Sequence, residues 1–317
     1  MDTRNSINIY GCGGFGINVL NLLAKQPLAG AEYNPFFIDT SDSNLLNTQK
    51  GDKNVYLIPG CDGSGKNPAL NHPRIVQVMP QVADKFAPTD INIIVMALSG
   101  GSGNVIGLEL AEAIWKEGKD VIFYSIASRE DLTAVTNVRN MLASMRNKAQ
   151  AYGKSAVMYF DDNQQATQDN QVDGDMITSI SAFLELYSGN HLRLDSTDIR
   201  NWLNPKVESQ ILLLDIAVSY EVASEVPAPL SIATLYDSEE TRTKVIPSMR
   251  SCEGIRKRAC GHNLYLIISG SGVDRIVDSI SSSITDYKQA AVNNSSANMR
   301  GLDKLKPTGP SGMVFED

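Results

Sequence analysis

Apolar positions follow two rhythms along the first half of this chain. Short runs that are almost wholly apolar, at 7–10, 55–58, 91–97 (INIIVMA), 121–127 (VIFYSIA) and 156–160, predict strands buried on both faces, and 36–39 predicts another. Between them the apolar spacing widens. Ile17, Leu20, Leu23 and Ala24 line one face of a predicted helix, and further helices are expected at about 105–116 and 132–149. Alternation of this kind predicts an α/β fold, a parallel sheet covered by helices on both faces.

The pattern changes near residue 160. Ile177, Ile180, Phe183 and Leu184 are spaced to bury one face of a long helix over 176–186. Beyond it, 211–220, 230–236 and 264–269 read as strands with longer connections, and 273–291 reads as a helix. A second, smaller α+β domain is therefore expected, joined to the first through the long helix. The last stretch holds Pro307, Pro310 and several Gly and Ser residues with little periodicity, which predicts an extended tail.

Composition narrows the picture. Across 317 residues, 42% hydrophobic and 20% charged content is ordinary for a globular chain. No apolar run approaches the ~20 residues needed to span a membrane. The opening MDTRNSINIYGCGG lacks a basic segment followed by an apolar one, so no secretion signal is expected. Cys12, Cys61, Cys252 and Cys260 are accordingly expected to be reduced thiols in a cytoplasm, and their spacing is not that of a zinc site. A formal charge of −8 argues against direct binding along nucleic acid, which needs clustered Lys and Arg. The one basic cluster, Arg256-Lys257-Arg258, reads as a solvated loop.

Three glycine-rich turns carry the candidate chemistry. Gly11-x-Gly13-x-x-Gly16 lies between a strand and a helix, where glycines let phosphate approach the backbone and the helix N-terminus supplies N–H groups. With Asp39 ending the next strand, this loop alone fits a dinucleotide site. Gly60-Cys61-Asp62-Gly63-Ser64-Gly65-Lys66 fits most of a P-loop, but Asn67 stands where the Mg²⁺-binding hydroxyl belongs. Pro68 and Pro73 also bracket a segment that would have to begin a long helix, so the P-loop is rejected. Ser99-Gly100-Gly101-Ser102-Gly103-Asn104 forms a further strand-to-helix cradle that a dehydrogenase does not need. Glycine turns after successive parallel strands can enclose one polyphosphate from several sides.

Here the sequence resembles the tubulin/FtsZ superfamily. Residues 11–18 (GCGGFGIN) are similar to its first loop, GxGGxGxN, 63–68 (GSGKNP) to its third, and 99–104 (SGGSGN) stands where the tubulin signature stands. His191-Leu192-Arg193-Leu194-Asp195-Ser196-Thr197-Asp198-Ile199 resembles the NxDxx(D/E) loop that completes the neighbouring subunit's site, with Arg193 in place of Asn. Residues 193–203 (RLDSTDIRNWL) and Gly312-Met313-Val314 look most like the phage-encoded tubulins of the PhuZ type.

The resemblance implies a filament-forming GTPase whose filaments position phage DNA or particles in an infected bacterium. GTP, GDP and Mg²⁺ are its expected ligands. It assigns Asp198 as the catalytic carboxylate and Asp195 as its helper; by local pattern alone Asp195 would cap a helix near 196–202. Nucleotide contacts are expected from Gly11, Cys12, Gly13, Gly14, Asn18, Asp39, Gly65, Asn67, Ser99, Gly100, Gly101, Ser102, Gly103 and Asn104. Asn163, Asn170 and Asp173 are expected near the guanine. Asp42, beside Asp39, is expected to hold Mg²⁺ through water.

The implied partner is the chain itself in a head-to-tail polymer, with phage DNA or capsid as indirect cargo, no membrane, and the host cytoplasm as location. The expected division is 1–168 for GTP binding, 169–205 for the central helix and catalytic loop, 206–292 for the α+β domain and 293–317 for an assembly tail. An NAD-dependent oxidoreductase, and a regulator that binds GTP without hydrolysing it, are the alternatives.

Overall fold

In the computed structural model, which describes residues 6–26, 32–46, 49–163, 171–207 and 210–302, strands and helices alternate through the first half. In order they are β1 (Ile7–Cys12), α1 (Gly13–Leu23), β2 (Tyr33–Asp39), β3 (Val55–Leu57), α2 (Pro68–Lys85), β4 (Ile91–Ala97), α3 (Ser102–Lys116), β5 (Asp120–Ala127), α4 (Leu132–Ala151) and β6 (Ala156–Asp162). Next come α5 (Gln171–Tyr187), β7 (His191–Leu192), α6 (Ser196–Leu203), β8 (Ile211–Ala217), α7 (Tyr220–Glu225), β9 (Pro229–Tyr236), β10 (Arg250–Arg256), β11 (Leu264–Ser269) and α8 (Val273–Leu302).

The described strands share one sheet in the order β3-β2-β1-β4-β5-β6-β8-β11-β9-β10-β7. Pairing is parallel from β3 through β6 to β8, and antiparallel from β8 to β11 to β9. Successive side chains of β4 enter different cores: Ile93 and Val95 pack with α1, α5 and α6, whereas Ile94 and Met96 pack with α2, α3, α4 and α8. Helices therefore cover both faces, as the continuous apolar runs require.

Three departures from the sequence pattern have physical causes. The prolines that argued against a helix after residue 67 stand inside α2. Pro68 occupies its first turn, where no N–H is needed, and Asn67 caps it by accepting the Ala69 amide at 3.1 Å. Pro73 and Pro80 lie on its exposed side, while Ile75, Val78, Met79 and Val82 are buried. Four such side chains contribute about 1.5–3 kcal/mol each, against about 3 kcal/mol per interior proline, so burial wins. The strand expected over 211–220 stops at Ala217 because Ser219 accepts the Val222 amide at 3.4 Å and starts α7. The helix expected to end at 291 continues to Leu302; residues 303–317 of the expected tail lie outside the described residues.

The basic cluster is also corrected. Arg256 is not in a solvated loop: it closes β10, is buried, and pairs with Glu185 of α5 (Nη2–Oε2 3.0 Å).

A buried ion pair in the first half also reaches the second through a hydrogen bond. Arg129, between β5 and α4, meets Asp162 at the end of β6 (Nη2–Oδ2 2.5 Å) and donates to Ser279 of α8 at 2.7 Å. Removing one partner strands the other charge, so Asp162→Ala is expected to lower unfolding stability by about 3–5 kcal/mol. Urea denaturation checks this, and a loss below about 1 kcal/mol would show that the pair is screened.

Candidate nucleotide-binding site

Because β1, β2, β3 and β4 run parallel, the loops leaving their C-terminal ends converge on one edge of the sheet. They enclose a cavity of about 210 Å³. Cys12, Gly13, Gly14 and Phe15 line it from the β1–α1 turn, Asp39, Thr40, Ser41, Ser43 and Asn44 from the segment after β2, and Gly63 and Ser64 from the third loop. Ala97 and Gly100 to Gly103 complete the wall.

The glycines are there because the loops touch backbone to backbone. Gly13 has φ +70°, and a Cβ there would lie 2.7 Å from the Gly103 Cα. The reverse also holds: a Cβ on Gly103 would lie 2.7 Å from the Cys12 carbonyl oxygen. No side chain fits at that crossing. Lys66, with φ 62°, holds the same left-handed conformation at a cost of about 1–2 kcal/mol. Its ammonium ion-pairs with Glu130 and with Asp131 (3.0 Å), pointing it away from a P-loop role.

The two helices that open onto this cavity differ in their caps from α2, α4, α6 and α7. The residue before each, Cys12 for α1 and Gly101 for α3, supplies no capping side chain, and neither first turn holds an acid. By contrast, Asn67, Asp131, Asp195 and Ser219 cap α2, α4, α6 and α7. The uncapped ends direct backbone N–H groups and positive dipole ends at the cavity, as phosphate oxygens require. One amide there, of Ser102, is held by Ser64 Oγ at 2.9 Å.

Asp39 is the acid of this wall. Burial pushes its carboxyl above the ordinary range, against the pull of the Thr40 amide (2.7 Å) and the Asn44 amide group (3.2 Å). Asp42 does not line the cavity; Lys50 pairs with it at 2.7 Å and holds its carboxyl below the ordinary range. The Cys12 thiol lines the wall fully buried, and burial raises its pKa, so it is not a nucleophile.

The other expected contacts among the described residues do not line the cavity, and several of them brace its loops. Gly11 lies under the first loop, where a Cβ would strike the Gly16 carbonyl. Asn104 is buried and donates to the carbonyls of Leu98 (3.0 Å) and Gly100 (2.7 Å), bracing its own loop. The Ser99 carbonyl accepts from Asn137 at 3.2 Å. Gly65 has φ +53° with open space around it, and Asn67 is the α2 cap. Asn18 is exposed on α1, Asn163 is exposed after β6, and Asp173 lies in the first turn of α5, its carboxyl raised by burial. Asn170 lies outside the described residues. Asn44 lines the cavity, while Asn71 and Asn137 brace its loops from outside the wall; none of the three was legible, since each comes from outside a glycine motif.

Asp195 and Asp198 are elsewhere. They form a capping box: Asp195 Oδ1 accepts the Asp198 amide at 2.9 Å and Asp198 Oδ2 accepts the Asp195 amide at 3.2 Å. Their helix is tied to the starts of β4 and β5, the ends of the strands away from the cavity. Asn204 donates to Asp120, the first residue of β5, at 3.1 Å, and Arg200 lies 3.8 Å from Asp90, just before β4. A seven-residue strand rises about 3.3 Å per residue, so these anchors of α6 lie about 20 Å from the cavity end of the sheet, and the acids sit on the same short helix.

A sheet that is parallel through its first half, a long central helix and a mixed second half define the tubulin/FtsZ class. The fold superimposes on the TubZ protofilament structure from bacteriophage PhiKZ with a TM-score of 0.84 at 23% identity, covering 98% of this chain and 99% of that one. It matches the structure of the phage tubulin PhuZ–GDP with a TM-score of 0.83 at 21% identity, over the same shares. In sequence the chain is 30% identical over 234 residues to a phage tubulin-like protein of Pseudomonas phage PhiPA3, 72% of each chain. No protein-family model matches. The chain belongs to the phage tubulin-like proteins, and this membership removes the oxidoreductase alternative.

Proposed function

We propose that this protein is a cytoskeletal GTPase that assembles head-to-tail into filaments and positions phage DNA or particles in the host cytoplasm. One observation carries the reading: the phosphate cradle and the paired acids occupy opposite edges of one sheet, so a subunit cannot use its own acids. Stacking one copy on the next brings Asp195 and Asp198 of one to the cavity of the other. The relatives solved as a PhiKZ TubZ protofilament and as PhuZ–GDP support both halves of this reading.

Phosphoryl transfer depends on positioning and charge stabilisation rather than on covalent help. The uncapped starts of α1 and α3 and the glycine backbone hold the phosphates. Across the subunit contact, Asp198 orients the attacking water and accepts its proton, with Asp195 beside it. Asp39, with the Thr40, Ser41 and Ser43 hydroxyls, is the hard-oxygen donor set that suits Mg²⁺ through water. Bound there, Mg²⁺ would neutralise charge on the phosphates. Hydrolysis removes the group enclosed between subunits and so weakens the contact.

Residues 1–168 then serve nucleotide binding, 169–205 carry the acids, 206–292 form the activating half and 293–317 the assembly tail. Among the described residues no helix is long and apolar enough to cross a membrane.

Light scattering and phosphate release after GTP addition test the reading together. Assembly with GTP and turnover that rises with filament mass are expected; GTP binding without either would mark a non-hydrolysing regulator. Deleting 293–317 is expected to leave a folded monomer that binds GTP and to raise the critical concentration for assembly at least about tenfold, a contact worth about 1.4 kcal/mol. Unchanged assembly kinetics would remove the tail from the interface.

A further inference from the structure

We propose that Asn137 is a positioning residue of the nucleotide site, a buried amide on α4 that locks the glycine loops after β3 and β4 into one preformed cradle. The inference deepens the GTPase reading and rests on it. The Nδ2 group of Asn137 faces three backbone carbonyls: Lys66 at 2.9 Å, Gly100 at 3.1 Å and Ser99 at 3.2 Å. The first belongs to the loop after β3 and the other two to the loop after β4, so one side chain spans segments more than thirty residues apart in sequence. Three converging acceptors demand a donor, which fixes the orientation of the amide and excludes Asp or Leu at this position.

Independent contacts show that the two loops act as a unit. Ser64 Oγ accepts the Ser102 amide at 2.9 Å, and a Cβ on Gly101 would collide with Ser64 Oγ. Asn71 of α2 donates both to the Asp62 carbonyl (2.7 Å) and to Ser102 Oγ (2.9 Å). Lys66 is held in its left-handed conformation at both ends, its carbonyl by Asn137 and its ammonium by Glu130 and Asp131. A non-glycine residue keeps such a conformation only where its surroundings over-determine it. Asn137 lies outside the cavity wall and acts only through the loops. Its contribution is preorganisation: loops ordered before binding need not be ordered by the nucleotide.

The test uses the full-length chain. Asn137→Ala opens onto a groove between α2, α3 and α4 that Asn137 lines, where water can replace part of the amide. Asn137→Asp keeps the volume but sets a carboxylate against three carbonyls. The KM for GTP is expected to rise about tenfold in Asn137→Ala and further in Asn137→Asp, with kcat at saturating GTP within about twofold, because the acids of the neighbouring subunit are untouched. A structural role alone would lower the melting temperature of both variants and leave KM unmoved, which overturns the proposal.

Hydrogen exchange of the nucleotide-free protein separates this outcome from failure of the GTPase reading. In Asn137→Ala, amides of 63–67 and 99–103 are expected to exchange faster together, whether or not GTP is the ligand. Faster exchange in both loops with no GTP turnover by wild type would keep the staple and discard the GTPase. Unchanged exchange, or a change in one loop only, overturns the staple.

Discussion

Asp198→Ala is expected to bind GTP within about twofold of wild type, to assemble, and to release phosphate from filaments roughly 10²- to 10⁴-fold more slowly, the range for loss of a positioned base. Filaments should persist as a result. The side chain has a second job, closing the capping box with Asp195, and its loss costs α6 about 1 kcal/mol. Asp198→Asn separates the two jobs. Its amide oxygen still accepts the Asp195 N–H, so the cap survives, while the charge and the base are gone. If the carboxylate acts on water, the asparagine variant is as slow as the alanine variant. If it only caps, phosphate release by Asp198→Asn matches wild type and Asp198 leaves the mechanism.

The second large effect concerns the crossing of the first and fourth loops. A Cβ at Gly103 would lie 2.7 Å from the Cys12 carbonyl oxygen and 3.0 Å from the Gly13 Cα, both backbone atoms that no rotamer change can move. Gly103→Ala must push the loops apart, at about 1–3 kcal/mol for an overpacked site. Since those loops shape the cavity, GTP affinity is expected to fall about ten- to hundredfold. Gly270→Ala is the control, away from the cavity. Its Cβ would meet Leu230 Cδ1 at 3.7 Å, ordinary contact, and its affinity should stay near wild type. Fluorescent GTP titration reads both. Equal affinities for the two variants would show that the crossing does not shape the site.

Legibility followed burial. The strands at 91–97 and 264–269 have the bounds their apolar runs predict, because every position, or all but the last, is enclosed. β10, RSCEGIR, was missed: only Gly254, Ile255 and Arg256 are buried, and the strand is held by pairing with β9 and β7 rather than by an apolar rhythm. α2 was missed because its prolines speak against a helix locally while its buried face decides for one. Arg256 looked solvated because nothing near it in sequence announces Glu185, 71 residues earlier.

The sequence by itself determined the parallel sheet and the glycine turns at its strand ends, and its resemblance to a known loop singled out the acids after the central helix. The first two are local matters, read from side-chain periodicity and from the need for backbone without Cβ atoms. Only the tertiary structure decided which carbonyls Asn71, Asn104 and Asn137 would meet, and that Asp39 rather than Asp42 would line the cavity. It alone set the acids at the far edge from the cradle. Those facts depend on where distant segments come together, which strand order and crossover direction govern and no local pattern encodes.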